Sequence, residues 1–317
     1  MKAIRMHEFG GPDVLKLEDV ARPVPAADEV LVHVVATCVN RSELRIRTGS
    51  VNHRLPVPLP WTPGTDFAGL VAEVGAAVTA FQPGDAVYGM ANFPVSGSYA
   101  EYTIAKPDWM ARKPERISFA AAAAVPQAAL TAWTGLYPVG HLQPGERIVI
   151  HGASGGVGTF AVQLAKWTGA YVIATASAAN QEFVKTLGAD EVLDYRQPFA
   201  QLPPVDVVLD AVGEIGIDLQ LRSVRMLRAG GRLASVQLIP FAAEVQQALD
   251  QQHATGESFG MQVSADMLTQ LAKLLDEGHI RSVVSKEYPL AQAADAHHDL
   301  ERPGTQGKIV LTVQPEP

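Results

Sequence analysis

Residues 147–177 read RIVIHGASGGVGTFAVQLAKWTGAYVIATAS, and this stretch decides the fold. Arg147 to His151 is a short β-branched run of the kind that forms a buried parallel strand. A glycine turn follows at once, then an apolar-periodic segment from Thr159 to Trp167, then a second strand from Tyr171 to Thr175. That succession predicts a βαβ unit with a phosphate-binding turn at its first corner, Ser154-Gly155-Gly156-Val157-Gly158. Gly155 and Gly156 let the backbone approach a pyrophosphate. Gly158 lets the helix pack closely on the strand, and the helix N-terminus presents N–H groups to the anion. The fingerprint is shifted, because Ala153 stands where its first glycine belongs. A glycine pattern alone is weak; strand, turn, helix and strand within about 30 residues make it specific.

Working outward, 317 residues are enough for two domains with a large core. The net charge of −8 gives no electrostatic footprint for nucleic acid or for an anionic membrane surface. Cys38 is the single cysteine, so no intramolecular disulfide forms, and a reducing cytoplasm is the expected location. MKAIRMHEFGG has no apolar core of a signal peptide. The Ala-rich run Phe119 to Leu136 is interrupted by Pro126 and Gln127, so it predicts a packed helix rather than a membrane span.

Residues 1 to about 125 predict a β-rich domain. Its strands are expected at Met1–His7, Val14–Asp19, Glu29–Ala36, Ala68–Val74, Ala86–Gly89 and Ser98–Ala105. Asn40 to Thr48 is expected to be helical and to stop at Gly49, and LPVPLPWTPG is expected to form a rigid extended loop. Beyond the first βαβ, strands are expected at Glu191–Tyr195, Asp206–Val212 and Gly231–Gln237. Ser258–Val263 is a candidate sixth strand, at a sheet edge suited to pairing with another subunit. A helix should run from Ser264 to a stop at Gly278, followed by a strand–helix–strand tail: VVSKEYPL, AQAADAHHDLE and GKIVLTV.

VNRSELRIRTG, TPGTDFAGLVAEVG, GSYAEY, AAAAVPQAALTAWTGL, HGASGGVGTFAVQLAK and TQGKIVLTV occur in the order seen in medium-chain dehydrogenases/reductases. The chain resembles their zinc-free quinone oxidoreductase-like branch over nearly its whole length. The resemblance implies an α/β protein with a GroES-like catalytic domain formed by residues 1–125 and completed by 265–317. A Rossmann domain over 126–264 is implied as a doubly wound parallel sheet, with the active site in the cleft and a homodimer as the assembly. It also implies hydride transfer from NADPH to a small-molecule quinone or α,β-unsaturated carbonyl. A cofactor-binding sensor or structural protein with little turnover is the alternative class.

Alignment on the family's zinc pattern puts Asn40 at the ligand cysteine, with Cys38 two residues early. Gly64-Thr65-Asp66 stands at the Gly-His-Glu step, without an imidazole, so no metal site is expected. His297-His298 lies in a polar helical stretch and reads as a solvated face. Asn40 is the first catalytic candidate, donating its amide to a substrate oxygen or positioning the nicotinamide ribose; a turn-capping Asn is the second reading. Thr131 resembles the family residue beside the nicotinamide, with a buried helical Thr equally open. Asp66 is expected to hold a loop, in preference to transferring a proton. Trp61 is expected to line the acceptor pocket, with simple packing as its other reading. Val212 and Lys308 join the cofactor-contacting positions through the resemblance alone. Tyr195 resembles the family tyrosine near the adenosine phosphate and reads equally as a packed strand-end residue. Specificity is expected from the loops around Val51–Pro60 and Phe241–Gly260.

Cofactor choice turns on the end of the second strand. An NAD enzyme usually carries Asp or Glu there for the ribose 2′-OH. Here Ala174-Thr175-Ala176-Ser177-Ala178-Ala179-Asn180 holds no carboxylate, and Ser177 and Asn180 are hydrogen-bonding groups suited to a 2′-phosphate. Lys185 and Arg196 are cations in the neighbourhood that spacing does not fix. One charge-assisted contact is worth about 1.5–3 kcal/mol, a ten- to hundredfold preference. NADPH is therefore expected to bind about tenfold more tightly than NADH. Fluorescence titration checks this, and equal dissociation constants contradict it.

Overall fold

The computed structural model describes residues 1–197, 202–213, 216–237 and 239–317. They form two compact units: Met1–Gln127 with Val263–Gly278 and Ser282–Pro317, and Ala128–Gln262 with His279–Arg281. No helix among the described residues is long and apolar enough to cross a membrane.

The chain opens with β1 (Lys2–Arg5) paired antiparallel to β2 (Lys16–Asp19). β3 (Val30–Val39) is buried along nearly all of its ten residues. Such burial requires partners on both edges and cover on both faces. Next come α1 (Arg41–Arg47), β4 (Asp66–Val74), β5 (Ala86–Met90), β6 (Tyr102–Ala105) and β7 (Met110–Arg112). The helix expected over Phe119–Leu136 is two helices, α2 (Phe119–Ala123) and α3 (Pro126–Thr134). Pro126 has no N–H to continue a helix but suits the first position of a new one. Beyond Thr134 the coil widens into a π-helical turn over Gly135–Val139 that contains Pro138.

The second unit carries β8 (Arg147–His151), α4 (Gly156–Thr168), β9 (Tyr171–Ala176), α5 (Gln181–Lys185) and β10 (Glu191–Asp194). β11 (Val205–Asp210), α6 (Ile217–Met226), β12 (Leu227–Ser235), α7 (Ala243–Gln251) and β13 (Thr255–Ser258) complete it. Its six strands are all parallel, in the order β10-β9-β8-β11-β12-β13. Counted from β8 this is 3-2-1-4-5-6, the doubly wound dinucleotide-binding order, and strand direction of progress reverses between β8 and β11. The sixth strand sits earlier than Ser258–Val263. Its pairing with β12 ends at Ser258, because β12 itself stops at Ser235 and offers no partner further on. Val149, Ile173, Val208, Leu233, Val245 and Leu249 pack the core of this unit.

The tail returns to the first unit as α8 (Ala265–Asp276), β14 (Val284–Pro289), α9 (Ala293–Glu301) and β15 (Lys308–Thr312). β15 pairs antiparallel with β3, with Ile309 opposite Val39 and Thr312 opposite Ala36. The seven-stranded sheet runs β14-β15-β3-β4-β5-β7, and β6 also pairs with β3. C-terminal residues are thereby set beside Asn40, more than 260 positions away in the chain.

Candidate active site

In the first unit the site is built around the start of α1. Asn40 is its N-cap, in extended backbone (φ −115°, ψ 150°), and Glu43 stands three residues on. That is the capping-box spacing, and Glu43 Oε2 accepts the Asn40 backbone N–H at 2.9 Å. The same oxygen accepts from the Tyr99 hydroxyl at 2.7 Å. Oε1 accepts from the Thr65 N–H at 2.9 Å and lies 3.0 Å from the Thr65 hydroxyl. Glu43 is fully buried, and sequence reasoning missed it. The spacing from Asn40 was the available signal.

The network continues through His297. Its Nε2 lies 3.1 Å from the Tyr99 hydroxyl, whose proton goes to Glu43, so Nε2 donates and Nδ1 accepts from Arg47 Nη1 at 3.4 Å. Arg47 in turn pairs with Glu301 and donates Nε to the Gly10 carbonyl. The expectation of a solvated His297-His298 face is corrected here: His298 is exposed, but His297 is wholly buried. α9 turns this one imidazole toward α1, where the hydroxyl and guanidinium satisfy both ring nitrogens. Burial, with Arg47 nearby, pushes its pKa down to about 3.

Asn40 joins a second set of charges. Its Oδ1 accepts from the Lys308 ammonium, which also reaches the Val39 carbonyl at 3.3 Å. Nδ2 faces Asp66 Oδ2 at 3.0 Å, Thr65 Oγ1 at 3.2 Å and Glu43 Oε1 at 3.3 Å, so two amide protons serve three acceptors. Asp66 Oδ1 accepts the Gln127 N–H at 2.9 Å, and Gln127 Nε2 donates to Ser42 Oγ. Burial pushes Asp66 up to about 7, while Lys308 and Asn40 pull it back. Asn40, Asp66 and Lys308 are thus brought together. Asn40 stands at the N-cap position of α1, and its amide is held by neighbours on both its oxygen and its nitrogen. Lys308 is 5% exposed, and its ammonium donates to Asn40 Oδ1 and the Val39 carbonyl.

The donor set does not fit zinc. Cys38 is a buried thiol 3.3 Å from the Ile309 carbonyl, and burial pushes its pKa to about 12. The groups that meet Asn40 are the Glu43 and Asp66 carboxylates, the Thr65 hydroxyl and the Lys308 ammonium, and that ammonium puts positive charge where a metal cation would have to sit. Among the described residues no group of three or more His, Cys, Asp and Glu side chains is placed to hold a metal ion.

Trp61 is 3% exposed and packs in the apolar core, edge-on to Phe93, with Nε1 donating to the Pro94 carbonyl. Its ring and its one donor are both used inside the unit.

In the second unit the turn between β8 and α4 carries the cofactor-binding candidates. Gly155 is the N-cap of α4, with no side-chain cap. A Cβ on Gly155 would meet only the Gly152 carbonyl, at 3.4 Å, so the backbone there is open to a phosphate. A Cβ on Gly158 would lie 2.2 Å from that same carbonyl, so only glycine lets α4 pack this closely. Ser154 Oγ accepts from Asn180 Nδ2 at 3.1 Å, which ties the turn to the end of β9. Asn180 is therefore engaged inside the fold, whereas Ser177 is half-buried at the end of β9. Tyr195 is exposed beyond β10 with the Arg196 guanidinium over its ring at 5.3 Å. Lys185 is bonded to Glu182. Thr131 is buried within α3, and Val212 is exposed just after β11.

Comparison with known proteins accords with this architecture. Residues 26–115 match the alcohol dehydrogenase GroES-like domain family, and residues 187–311 match the zinc-binding dehydrogenase family. The quinone oxidoreductase of Coxiella burnetii superposes with a TM-score of 0.92 at 38% identity, over 99% of both chains. The chain belongs to the quinone oxidoreductase branch of the medium-chain dehydrogenases/reductases. Escherichia coli quinone oxidoreductase complexed with NADPH superposes at 0.87 with 29% identity, over 99% of this chain and 100% of that one. The 2-methylene-furan-3-one reductase of Solanum lycopersicum is 35% identical, over 98% of this chain and 79% of its own length. A chain of this branch is an NAD(P)H-dependent oxidoreductase acting on a small molecule.

The buried imidazole sets a pH dependence. An ordinary histidine titrates near 6.5, so the unfolded chain takes up a proton that folded His297 refuses down to about pH 3. Stability therefore falls as pH drops below about 6.5, by up to about 1.4 kcal/mol per unit from this group. Asp66, raised by burial, works in the opposite sense, so the variant difference is the observable. The stability advantage of wild type over His297→Gln should shrink steadily from pH 6.5 to pH 4 in urea titrations. A difference independent of pH contradicts a neutral buried His297.

Proposed function

We propose that the chain is a zinc-independent reductase that uses NADPH to reduce a quinone or an α,β-unsaturated carbonyl. The observation that carries it is the uncapped N-terminus of α4, with open space over Gly155 and a helix locked down at Gly158. The N–H groups of the first helical turn have no intrahelical partner and suit a pyrophosphate. Ser177 and Arg196 are the proposed partners of the 2′-phosphate, since Asn180 is bonded to Ser154. When bound, the reduced nicotinamide supplies the hydride.

The remaining residues position and stabilise. Lys308 fixes the oxygen of the Asn40 amide, so that amide's hydrogens point to Asp66 and Thr65. Asn40 is accordingly proposed as a positioning residue for this polar cluster, and Thr131 as the hydroxyl beside the nicotinamide. Without a Lewis acid, a simple alcohol gains little help in losing hydride. A conjugated acceptor needs less, because hydride addition gives a delocalised anion that one or two hydrogen bonds stabilise. The names of the Coxiella and tomato relatives support these two acceptor classes.

The test is NADPH oxidation by chelator-treated protein with a panel of quinones, enones and simple alcohols, with zinc content measured. Turnover is expected with a quinone or enone, unchanged by chelator, at far less than one zinc per chain. Asn40→Ala should lower kcat while NADPH affinity stays within about tenfold, or about 1.4 kcal/mol. Alcohol oxidation that tracks stoichiometric zinc overturns the proposal.

A further inference from the structure

We propose that Asp210 is a positioning residue for the nicotinamide cofactor, holding the segment 211–213 against the dinucleotide turn. This role rests on the nicotinamide dependence proposed above. Asp210 is the last residue of β11 and stands opposite His151, the last residue of β8. These two strands flank the point where strand order reverses, the place where ligands bind at the carboxyl edge of a doubly wound sheet.

The carboxylate is fully buried and shares its two oxygens among three donors on two segments. Oδ1 accepts the backbone N–H groups of Val212 at 2.9 Å and Gly213 at 3.2 Å. Oδ2 accepts the Ser235 hydroxyl, at the end of β12, at 2.6 Å. Backbone bonds add to this clamp: Ala211 N–H donates to the His151 carbonyl, and Val236 N–H donates to the Asp210 carbonyl. Segment 211–213 is thereby fastened to the strand ends on both sides.

What the clamp holds is specific. Gly152 begins the dinucleotide turn with φ +71°, and a Cβ there would lie 2.7 Å from Val212 Cγ2. Val212 thus sits on the first residue of the turn while keeping much of its surface exposed. Gly213 adopts φ +62°, and a Cβ on it would lie 2.3 Å from the Val236 carbonyl. Any loosening of the Val212 and Gly213 N–H bonds releases an apolar side chain that covers the turn from one side. Three neutral donors hold the carboxylate, and hydrogen bonds to an ionised acceptor are about twice as strong as neutral ones. The clamp's own hydrogen bonds run to the ends of β8 and β12 and not to Ser177, the proposed partner of the 2′-substituent, so the clamp serves both dinucleotides alike.

Asp210→Asn keeps the shape and removes the charge. Dissociation constants for NADPH and NADH, from fluorescence titration, are expected to rise by the same factor, at least about fivefold. Hydrogen exchange at the Val212 and Gly213 amides should accelerate. If Asp210→Asn fails to fold, Ser235→Ala, which removes only the Oδ2 donor and with it the tie to β12, is expected to raise both dissociation constants by one common factor and to lower the melting temperature. Dissociation constants within twofold of wild type overturn the proposal, whether or not the amides exchange faster. A rise for NADPH alone also overturns it, since that places the effect at the 2′-phosphate. Wild type that binds neither dinucleotide removes the nicotinamide dependence itself, and this role with it.

Discussion

A carboxylate buried with enough donors is the constraint on which the first unit depends. Glu43 gathers the cap of α1, the backbone at Thr65 and the hydroxyl of Tyr99 onto two oxygens. Removing a carboxylate from water costs several kcal/mol, and only near-complete hydrogen bonding offsets it. Here the offset comes from segments that are distant in sequence, so the charge is tolerated only when those segments are assembled. Through Tyr99 and His297 the same network reaches Arg47 and Glu301, which joins α9 to α1. Deleting one member leaves a buried charge short of partners, and such losses cost about 3–5 kcal/mol.

The second cluster works by alternation of charge. Lys308, the Asn40 amide and Asp66 form a series in which a cation meets the amide oxygen and an anion meets the amide nitrogen. Each contact polarises the next, and the amide cannot reverse without placing like groups together. Zinc chemistry would need thiolate or imidazole here; the chain instead supplies an ammonium, an amide and a carboxylate. The same logic governs the dinucleotide unit, where glycines at 152 and 158 set how closely backbone approaches backbone.

Local signals were legible in the sequence, and long-range ones were not. The βαβ unit, the Ser264-capped helix and the strand–helix–strand tail follow from periodicity and turn residues within a few positions of one another. Asn40 at a helix start was equally local. The break of the Phe119–Leu136 helix was also local: Pro126 marked it, but apolar continuity outweighed the missing N–H. His297 went astray because its environment comes from partners far along the chain. A histidine in a polar stretch looks solvated until Tyr99 and Arg47 meet its two nitrogens. Lys308 met Asn40 only after β15 paired with β3. Asp210 was invisible for a similar reason, since Ser235 and the turn at Gly152 reach it only across the sheet.

Direct hydride transfer without a metal is the chemistry these two units are proposed to support, and isotope transfer tests it most directly. Zinc-free protein would be supplied with stereospecifically 4-deuterated NADPH and an enone acceptor, whose β-carbon keeps a transferred hydrogen without exchange. Deuterium from one face of the nicotinamide should appear at the reduced carbon of the product, or be retained stoichiometrically there where that hydrogen does not exchange. Loss of that label to solvent from a non-exchanging position, or turnover restored only by added zinc, would contradict it.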